Sequence, residues 1–255
     1  MSDFRPRSNS EILDAAFEIY RRHFSVFVAM SVFAAIPGAI SSYIAEPALS
    51  LQQPGGLFNS ALVSSLALFI APFTEGSMTC AASSAYLGKP VDFEQSVRSA
   101  FSHAGWLFVA MVRKWVLMLL GLTFFLVPGL IVFKRYFALP MTVLFEDNSA
   151  GAAVARSRAL SDGNGRRIFS LNGGVFVFSL IVTLTLEQTI TSFSHGAIAA
   201  VGQLLVNAAV SPFGTIVATL LYYDIRIRRE GYDIELMAQA LDADSPTPSP
   251  VSEVN

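Results

Sequence analysis

The chain has 255 residues, of which 53% are hydrophobic and only 14% are charged, and its formal net charge at pH 7 is −2. Soluble domains carry roughly 25% charged residues, so this composition, with a mean hydropathy of +0.53, excludes an ordinary soluble enzyme. The small net charge gives no indication of nucleic-acid binding, and the single cysteine, Cys80, excludes an internal disulfide.

Six apolar segments are long enough to cross a membrane as helices, each of which needs about 20 apolar residues. A helix also satisfies its backbone hydrogen bonds within the segment, as a lipid environment requires. We therefore predict an all-α fold, a polytopic transmembrane helical bundle with spans at 24–45, 58–86, 105–127, 129–146, 168–192 and 197–223.

One integral membrane domain is expected over 1–240, because the polar segments between the spans are too short to form a separate catalytic domain. From 241 to 255 the sequence is rich in Ser, Pro and acidic residues, which predicts a disordered cytoplasmic tail. Thirteen of the seventeen Lys and Arg residues lie in the polar segments on one side of the predicted spans. Because cytoplasmic segments are enriched in Lys and Arg, both termini are expected in the cytoplasm.

The sequence repeats at a distance of 81 residues, where the motif Phe27–Met30 recurs as Phe108–Met111. A helix N-cap residue begins the polar segment before each motif, Ser8 in the first and Asp92 in the second. A third polar helix is expected to begin after Ser149. This pattern predicts three tandem units, each an interfacial helix followed by a transmembrane hairpin. Chance similarity between apolar segments is the alternative.

Two stretches resemble a known family, LVPGLIVFKRYFALPMTVLFEDNSAGAAVARSRALSDGNGRRIF at 126–169 and LLYYDIRIRREGYDIEL at 220–236. The chain resembles the membrane-domain family of glycerophosphoryl diester phosphodiesterases and of related stand-alone bacterial membrane proteins. The resemblance implies a helical bundle in the bacterial inner membrane. It does not imply hydrolysis, because the family's catalytic barrel domain, with its His-Arg pair and metal-binding carboxylates, is absent from this sequence.

Three charged residues are candidates for a cluster inside the membrane. Lys134 and Arg135 lie near the middle of the predicted fourth span, where an isolated charge is costly. Glu75 in the second span is at a comparable depth, so a pair between Glu75 and one of these cations is a hypothesis. The alternative is a broken or re-entrant fourth span, which Pro128, Gly129 and Pro140 would permit.

Nine basic residues are candidate contacts for anionic lipid headgroups at the cytoplasmic surface. They lie on the polar segments or within reach of the interface by snorkelling. They are Arg21, Arg22, Arg98, Arg113, Lys114, Arg156, Arg158, Arg166 and Arg167. Simple marking of the topology by the same residues is the alternative.

The sequence thus predicts a non-enzymatic inner-membrane protein without cofactor or metal site, which interacts with membrane lipids or amphipathic molecules at the cytoplasmic leaflet. Its partners are expected to be membrane lipids and other membrane proteins, and not nucleic acid. Two alternatives stay open. The repeat and the intramembrane charges would also suit a small-molecule transporter or exporter, and a helical bundle can serve as a membrane scaffold or assembly partner.

Overall fold

The computed structural model describes residues 5–50, 54–124, 126–146, 149–232 and 234, and the predicted tail at 241–255 lies outside them. These residues form helices and connecting turns, without a strand. In chain order the helices are α1 (Asn9–Arg22), α2 (Phe24–Ser50), α3 (Pro54–Tyr86), α4 (Phe93–Ser102), α5 (Ala104–Phe124), α6 (Leu126–Arg135), α7 (Leu139–Phe145), α8 (Ala150–Ser161), α9 (Gly165–Ile168), α10 (Gly174–Phe193) and α11 (Gly196–Glu230), and a π-helical turn (Phe169–Gly173) joins α9 to α10.

The predicted all-α bundle is confirmed. Six helical segments of the described chain are long and apolar enough to cross a membrane. They are Phe24–Ile44, Phe58–Tyr86, Ala104–Gly121, Val127–Phe145, Gly165–Phe193 and Gly196–Glu230. Each overlaps one predicted span, and the chain is therefore a multi-pass membrane protein.

The predicted N-caps are confirmed as well. The Ser8 hydroxyl accepts a hydrogen bond from the backbone of Glu11, whose carboxylate accepts from the Ser8 N–H at 2.6 Å, so both partners of a capping box are present. The Asp92 carboxylate accepts from the backbone of Gln95 at 2.8 Å. The Ser149 hydroxyl caps α8 in the same way. These caps separate the polar helices α1, α4 and α8 from the segments before them.

The fourth predicted span is broken, as the alternative interpretation of the sequence allowed. Helix α6 ends at Arg135, and α7 begins only at Leu139 after a turn. The break lies at neither proline: Pro128 is in the first turn of α6 and Pro140 in the first turn of α7. The N–H groups of a first helical turn have no partner within the helix, so proline is tolerated there without a kink.

The helices pack as three hairpins, α2 on α3, α5 on α6 and α10 on α11. Of the polar helices, α1 packs on α11, α4 on α3, and α8 on α7. The ring of Tyr20 on α1 lies 6.4 Å from that of Phe213 on α11, and Phe101 on α4 stacks on Phe73 of α3 at 4.9 Å. In the third case the Thr142 hydroxyl of α7 donates to the backbone of α8. Because α11 also packs on α2, the first and third hairpins are neighbours.

Buried side chains are concentrated at one end of the bundle. Side chains without significant exposure include Ile12, Met141, Leu160 and Tyr222. We call this packed region the base, and it consists of α1, α4, α7, α8 and the segments 72–86 of α3 and 208–230 of α11. The ends of the described chain meet there, and we call that side of the molecule the terminal face. Beyond the base the hairpins expose large apolar side chains, which suit contact with lipid.

Candidate functional site

Asp224 is the centre of a charge network in the base. Its side chain is only 3% exposed and lies on α11 near the terminal face. The carboxylate accepts hydrogen bonds from the backbone N–H of Arg7 at 2.7 Å and from Arg228 Nε at 2.8 Å, and forms an ion pair with Arg167 at 2.8 Å. The carbonyl oxygen of Arg7 accepts from both arginines. One buried carboxylate thus joins the N-terminal segment, α9 and α11.

A second network joins α7, α8 and the end of α11. The Arg156 guanidinium donates to Glu146 at 2.6 Å and forms a two-nitrogen contact with Glu230 at 2.6 and 2.7 Å. Glu146 also accepts from the Tyr222 hydroxyl at 2.8 Å, and Glu230 accepts from Arg226 at 3.0 Å. The hydrogen bond to Glu230, followed by that to Glu146, raises the pKa of Arg156 above its ordinary value. Its positive charge is therefore fixed at every relevant pH.

Tyrosine side chains of α3 and α11 pack against each other in the base, and one of them also contacts Arg7. Tyr86 of α3 stacks on Tyr223 of α11 at 5.0 Å, and the Tyr223 hydroxyl shares a 2.6 Å hydrogen bond with Ser83. The guanidinium of Arg7 lies over the Tyr86 ring, 5.4 Å from its centroid. This gives the N-terminal segment a second attachment to the base through a cation–π contact.

These contacts change the assignment of three predicted headgroup residues. Arg156 and Arg167 are used inside the base, in the networks just described, so they face carboxylates of the protein and not lipid. Lys114 is used similarly, since its ammonium lies 3.3 Å from the Glu75 carboxylate and its side chain is only 17% exposed. The sequence pattern identified their charge but not these partners on distant helices.

The same contact corrects the predicted intramembrane cluster. Glu75 pairs with Lys114 of α5, and not with Lys134 or Arg135 as hypothesised. Lys134 instead extends towards the start of α9, where a Cβ on Gly165 would lie 3.2 Å from its Nζ atom. Arg135 is exposed, and its backbone carbonyl accepts a hydrogen bond from Ser157 of α8 at 2.9 Å. The broken fourth span places both cations beside α8 and α9.

The other predicted headgroup residues fall into two groups. Arg158 donates to the Tyr136 hydroxyl at 2.9 Å, and Arg98 forms an exposed ion pair with Glu94 one helical turn away. The remaining four are exposed, and none forms an ion pair with another residue that the structure describes. They are Arg21, Arg22, Arg113 and Arg166.

A surface groove of about 530 Å³ lies where α4 meets α5. Its lining combines the polar side chains of Ser102 and His103 with the apolar surfaces of Trp106 and Val109. One helical turn beyond Val109, on the same face of α5, lies the exposed side chain of Arg113.

Residue spacing along α11 reveals part of the Asp224 network and not the rest. The spacing of Asp224 with Arg228, and of Arg226 with Glu230, predicts pairs one helical turn apart, and both are present. The links to Arg7 and Arg167 span 217 and 57 residues, and spacing on one helix does not reveal them. The available signal was a single acidic residue directly after an apolar run that ends in two tyrosines.

Comparisons of the chain with protein-family models, curated proteins and solved structures found no match. The family resemblance at 126–169 and 220–236 therefore stays a prediction. The structure adds that 220–230 is the part of α11 that holds the base together, through Tyr222, Tyr223 and Asp224.

Proposed function

We propose that this chain is a non-enzymatic multi-pass protein of the bacterial inner membrane with both termini in the cytoplasm. It binds anionic lipid headgroups in the cytoplasmic leaflet through Arg21, Arg22, Arg113 and Arg166. One observation carries the proposal. These four arginines are exposed beside exposed aromatic or apolar side chains, whereas Lys114 and Arg167, which directly follow two of them in the chain, pair with carboxylates of the protein.

The four arginines form three sites, two of which lie where a polar segment becomes an apolar helix. Arg21 and Arg22 precede Phe24, the first residue of α2, whose side chain is 48% exposed. Arg166 is followed one turn later by Phe169, which is 36% exposed. A guanidinium beside a lipid-facing aromatic ring suits the boundary between phosphate groups and acyl chains. The pairing of cation and ring therefore favours contact with lipid over contact with water alone.

The third site is Arg113 with the groove at the start of α5. Arg113 shares a helix face with Trp106, which is 53% exposed, and with Val109, which is 52% exposed. An acyl chain can lie along these two side chains while its phosphate reaches the guanidinium by a charge-assisted hydrogen bond. The hydroxyl of Ser102 and the ring of His103 lie at the opposite end of the groove, within reach of the polar part of a headgroup.

Quenching of the two tryptophans by brominated lipids tests the proposal, since Trp106 lies in the groove itself. Each cation near an anionic surface contributes about 1 kcal/mol, which is about a fivefold change in relative binding constant. We expect brominated phosphatidylglycerol to quench more than brominated phosphatidylcholine at the same mole fraction. Arg113→Gln should reduce this preference about fivefold.

The matched control is Lys89→Gln, which removes an exposed positive charge from the loop before α4. It should leave the preference unchanged, because Lys89 lies on the loop before α4 and not on the face of α5 that carries Trp106 and Val109. An equal preference in wild type and Arg113→Gln would contradict headgroup binding at this site.

A small-molecule transporter is the second candidate function, and one observation favours it. At the end of the bundle away from the base, Asn207 donates to the Glu187 carboxylate at 2.6 Å, which places a polar pair between two apolar helices. A cavity of about 300 Å³ with Tyr43, His195 and Gln203 in its lining lies at the same end. Glu187→Gln should abolish substrate accumulation in reconstituted vesicles if this is a transport site, and leave it unchanged if the pair only stabilises the hairpin.

A further inference from the structure

The end of α6 meets the start of the third hairpin through two adjacent side chains. Phe133 stacks on Phe169 of the π-helical turn, with 6.0 Å between the ring centroids, and its ring lies 6.2 Å from that of Phe176 on α10. The next side chain, Lys134, lies along the backbone of Gly165, where an added Cβ would be 3.1 Å from its Cε atom and 3.2 Å from its Nζ atom. We call this contact of α6 with α9, the π-helical turn and α10 the seam.

Lys134 is a half-buried cation in the seam, and no carboxylate of the described residues pairs with it. The other half-buried lysine, Lys114, has the carboxylate of Glu75 at 3.3 Å. Asp162, the acidic residue closest to Gly165 along the chain, is exposed and forms no ion pair with a described residue. Withdrawing an ammonium group from water is costly unless an anion compensates for the lost hydration. The seam therefore suits an anion that does not belong to the described chain.

The seam lies at the level of lipid headgroups. The candidate span from Gly165 to Phe193 has 29 residues, which extend about 44 Å at 1.5 Å per residue. This length exceeds the roughly 30 Å hydrocarbon core, so the first turn of the segment lies outside the core. Arg166 belongs to that turn, is exposed and has no ion-pair partner among the described residues. Because it directly follows Gly165, its guanidinium can reach an anion that also contacts Lys134.

On the membrane side of the seam, the surfaces of α6 and α10 are apolar and exposed. Leu180 and Leu184 continue the face of α10 that carries Phe176, each one helical turn further along, and they are 45% and 57% exposed. On α6, Leu130 precedes Phe133 by one turn and is 42% exposed. These leucines would be buried if the two helices stayed in contact beyond the seam. The helices thus leave an apolar gap between them, and the gap begins at the seam.

We propose that the seam binds one anionic phospholipid, with its phosphate between Lys134 and Arg166 and its acyl chains in the apolar gap between α6 and α10. The two cations without ion-pair partners select a negatively charged headgroup. The gap selects a lipid over a free phosphate ion, and a lipid in this position contacts both the second and the third hairpin. The inference rests on the proposed function in one respect, because Arg166 belongs to both, whereas Lys134 and the gap belong to this site alone.

A single tryptophan in the gap tests the proposal. In Leu180→Trp, with Trp106 and Trp115 both replaced by Phe, the only indole lies about 22 Å beyond Gly165 at 1.5 Å per residue. The protein is reconstituted in phosphatidylcholine that contains a small fraction of lipid brominated near the end of the acyl chain. We expect brominated phosphatidylglycerol to quench more than brominated phosphatidylcholine at the same mole fraction. Lys134→Gln should reduce this preference about fivefold, which corresponds to about 1 kcal/mol for one cation.

Phe178→Trp in the same background is the matched control, because Phe178 is 63% exposed and lies two residues from Leu180, on the opposite side of α10. The two brominated lipids should quench it equally, with and without Lys134→Gln. Equal preferences at positions 178 and 180, or a preference at 180 that Lys134→Gln does not change, would overturn the proposal. Loss of the preference in inorganic phosphate, but not in chloride of equal ionic strength, would also overturn it, because the seam would then bind free phosphate.

A second measurement leaves the side chains of the gap unchanged and covers the case in which Leu180→Trp does not fold. Native mass spectrometry should find one anionic phospholipid fewer on Lys134→Gln than on the wild type, and no loss on Lys89→Gln, which removes an exposed charge from the loop before α4. Equal numbers on all three proteins would overturn the proposal. Failure of the proposed surface sites gives a different pattern, in which Arg113→Gln keeps its lipid preference while Lys134→Gln still loses one lipid.

Discussion

Replacing Asp224 by Asn tests whether the buried carboxylate holds the two ends of the chain together. The substitution keeps the shape of the side chain and removes its charge, which leaves Arg167 and Arg228 facing a neutral amide. Removing one partner of a fully buried pair costs 3–5 kcal/mol. Because the arginine side chains are 20% and 38% exposed, we expect a loss near the lower end, about 3 kcal/mol.

The assay is the free energy of unfolding in detergent micelles, from denaturant titrations followed by circular dichroism. Asp162→Asn is the matched control, because Asp162 is exposed and its substitution should change stability by less than about 0.5 kcal/mol. A second readout is amide exchange at Arg7, which should accelerate in Asp224→Asn, since its N–H loses a charged acceptor. Equal stability of the two variants, with unchanged exchange at Arg7, would refute the central role of Asp224.

Three further predictions concern α5 and α1. Gly121→Ala should destabilise the protein by about 2 kcal/mol, because a Cβ there would lie 2.7 Å from a backbone atom of α6. Gly105→Ala is the control and should not destabilise it, because no atom lies within 4 Å of the added Cβ. Thermal unfolding compares the two variants. Glu75→Gln should lower the free energy of unfolding by about 2 kcal/mol, because it leaves Lys114 unpaired, and adding Lys114→Met should restore most of this loss. A double variant that is no more stable than Glu75→Gln would argue against the ion pair. The hydrogen bond from the Ser8 N–H, followed by that from Arg5, lowers the pKa of Glu11 from 4.5 to about 2. The wild type should therefore lose stability as the pH falls from 4.5 to 2, and Glu11→Gln should lose less. Equal losses of stability in the two proteins between about pH 5 and about pH 2 would contradict this prediction.

The sequence predicted those parts of the fold that depend on local patterns. Six apolar segments near the length of a span locate the candidate spans, and Ser8, Asp92 and Ser149 locate the starts of the polar helices. Both signals lie within one short stretch of sequence, so they can be recognised without knowing which helices pack together.

The parts that depend on neighbouring helices could not be predicted in this way. Depths along the second and fourth spans were counted from polar residues at their ends, on the assumption that those ends lie at the membrane surface. In the structure α3 continues into the base, so Glu75 lies within the base and pairs with Lys114 of α5. Spacing along one helix specifies a face and a height, but not which helix packs against that face.

The same limit applies to the candidate lipid contacts. Charge and position alone make Arg166 and Arg167 equivalent, yet one is exposed and the other pairs with Asp224. The distinction arises because successive residues of a helix point in different directions, and only the packing of α9 against α11 decides which direction faces protein.

Binding of anionic lipid by the exposed arginines on the terminal face is tested most directly by native mass spectrometry of the protein extracted from its own membrane. We expect anionic phospholipid to stay bound to the wild type and to Lys89→Gln, and to be lost, at least in part, from Arg21→Gln/Arg22→Gln. A wild-type protein that carries no lipid, or that carries neutral and anionic lipid in the proportions of the membrane, would contradict the claim.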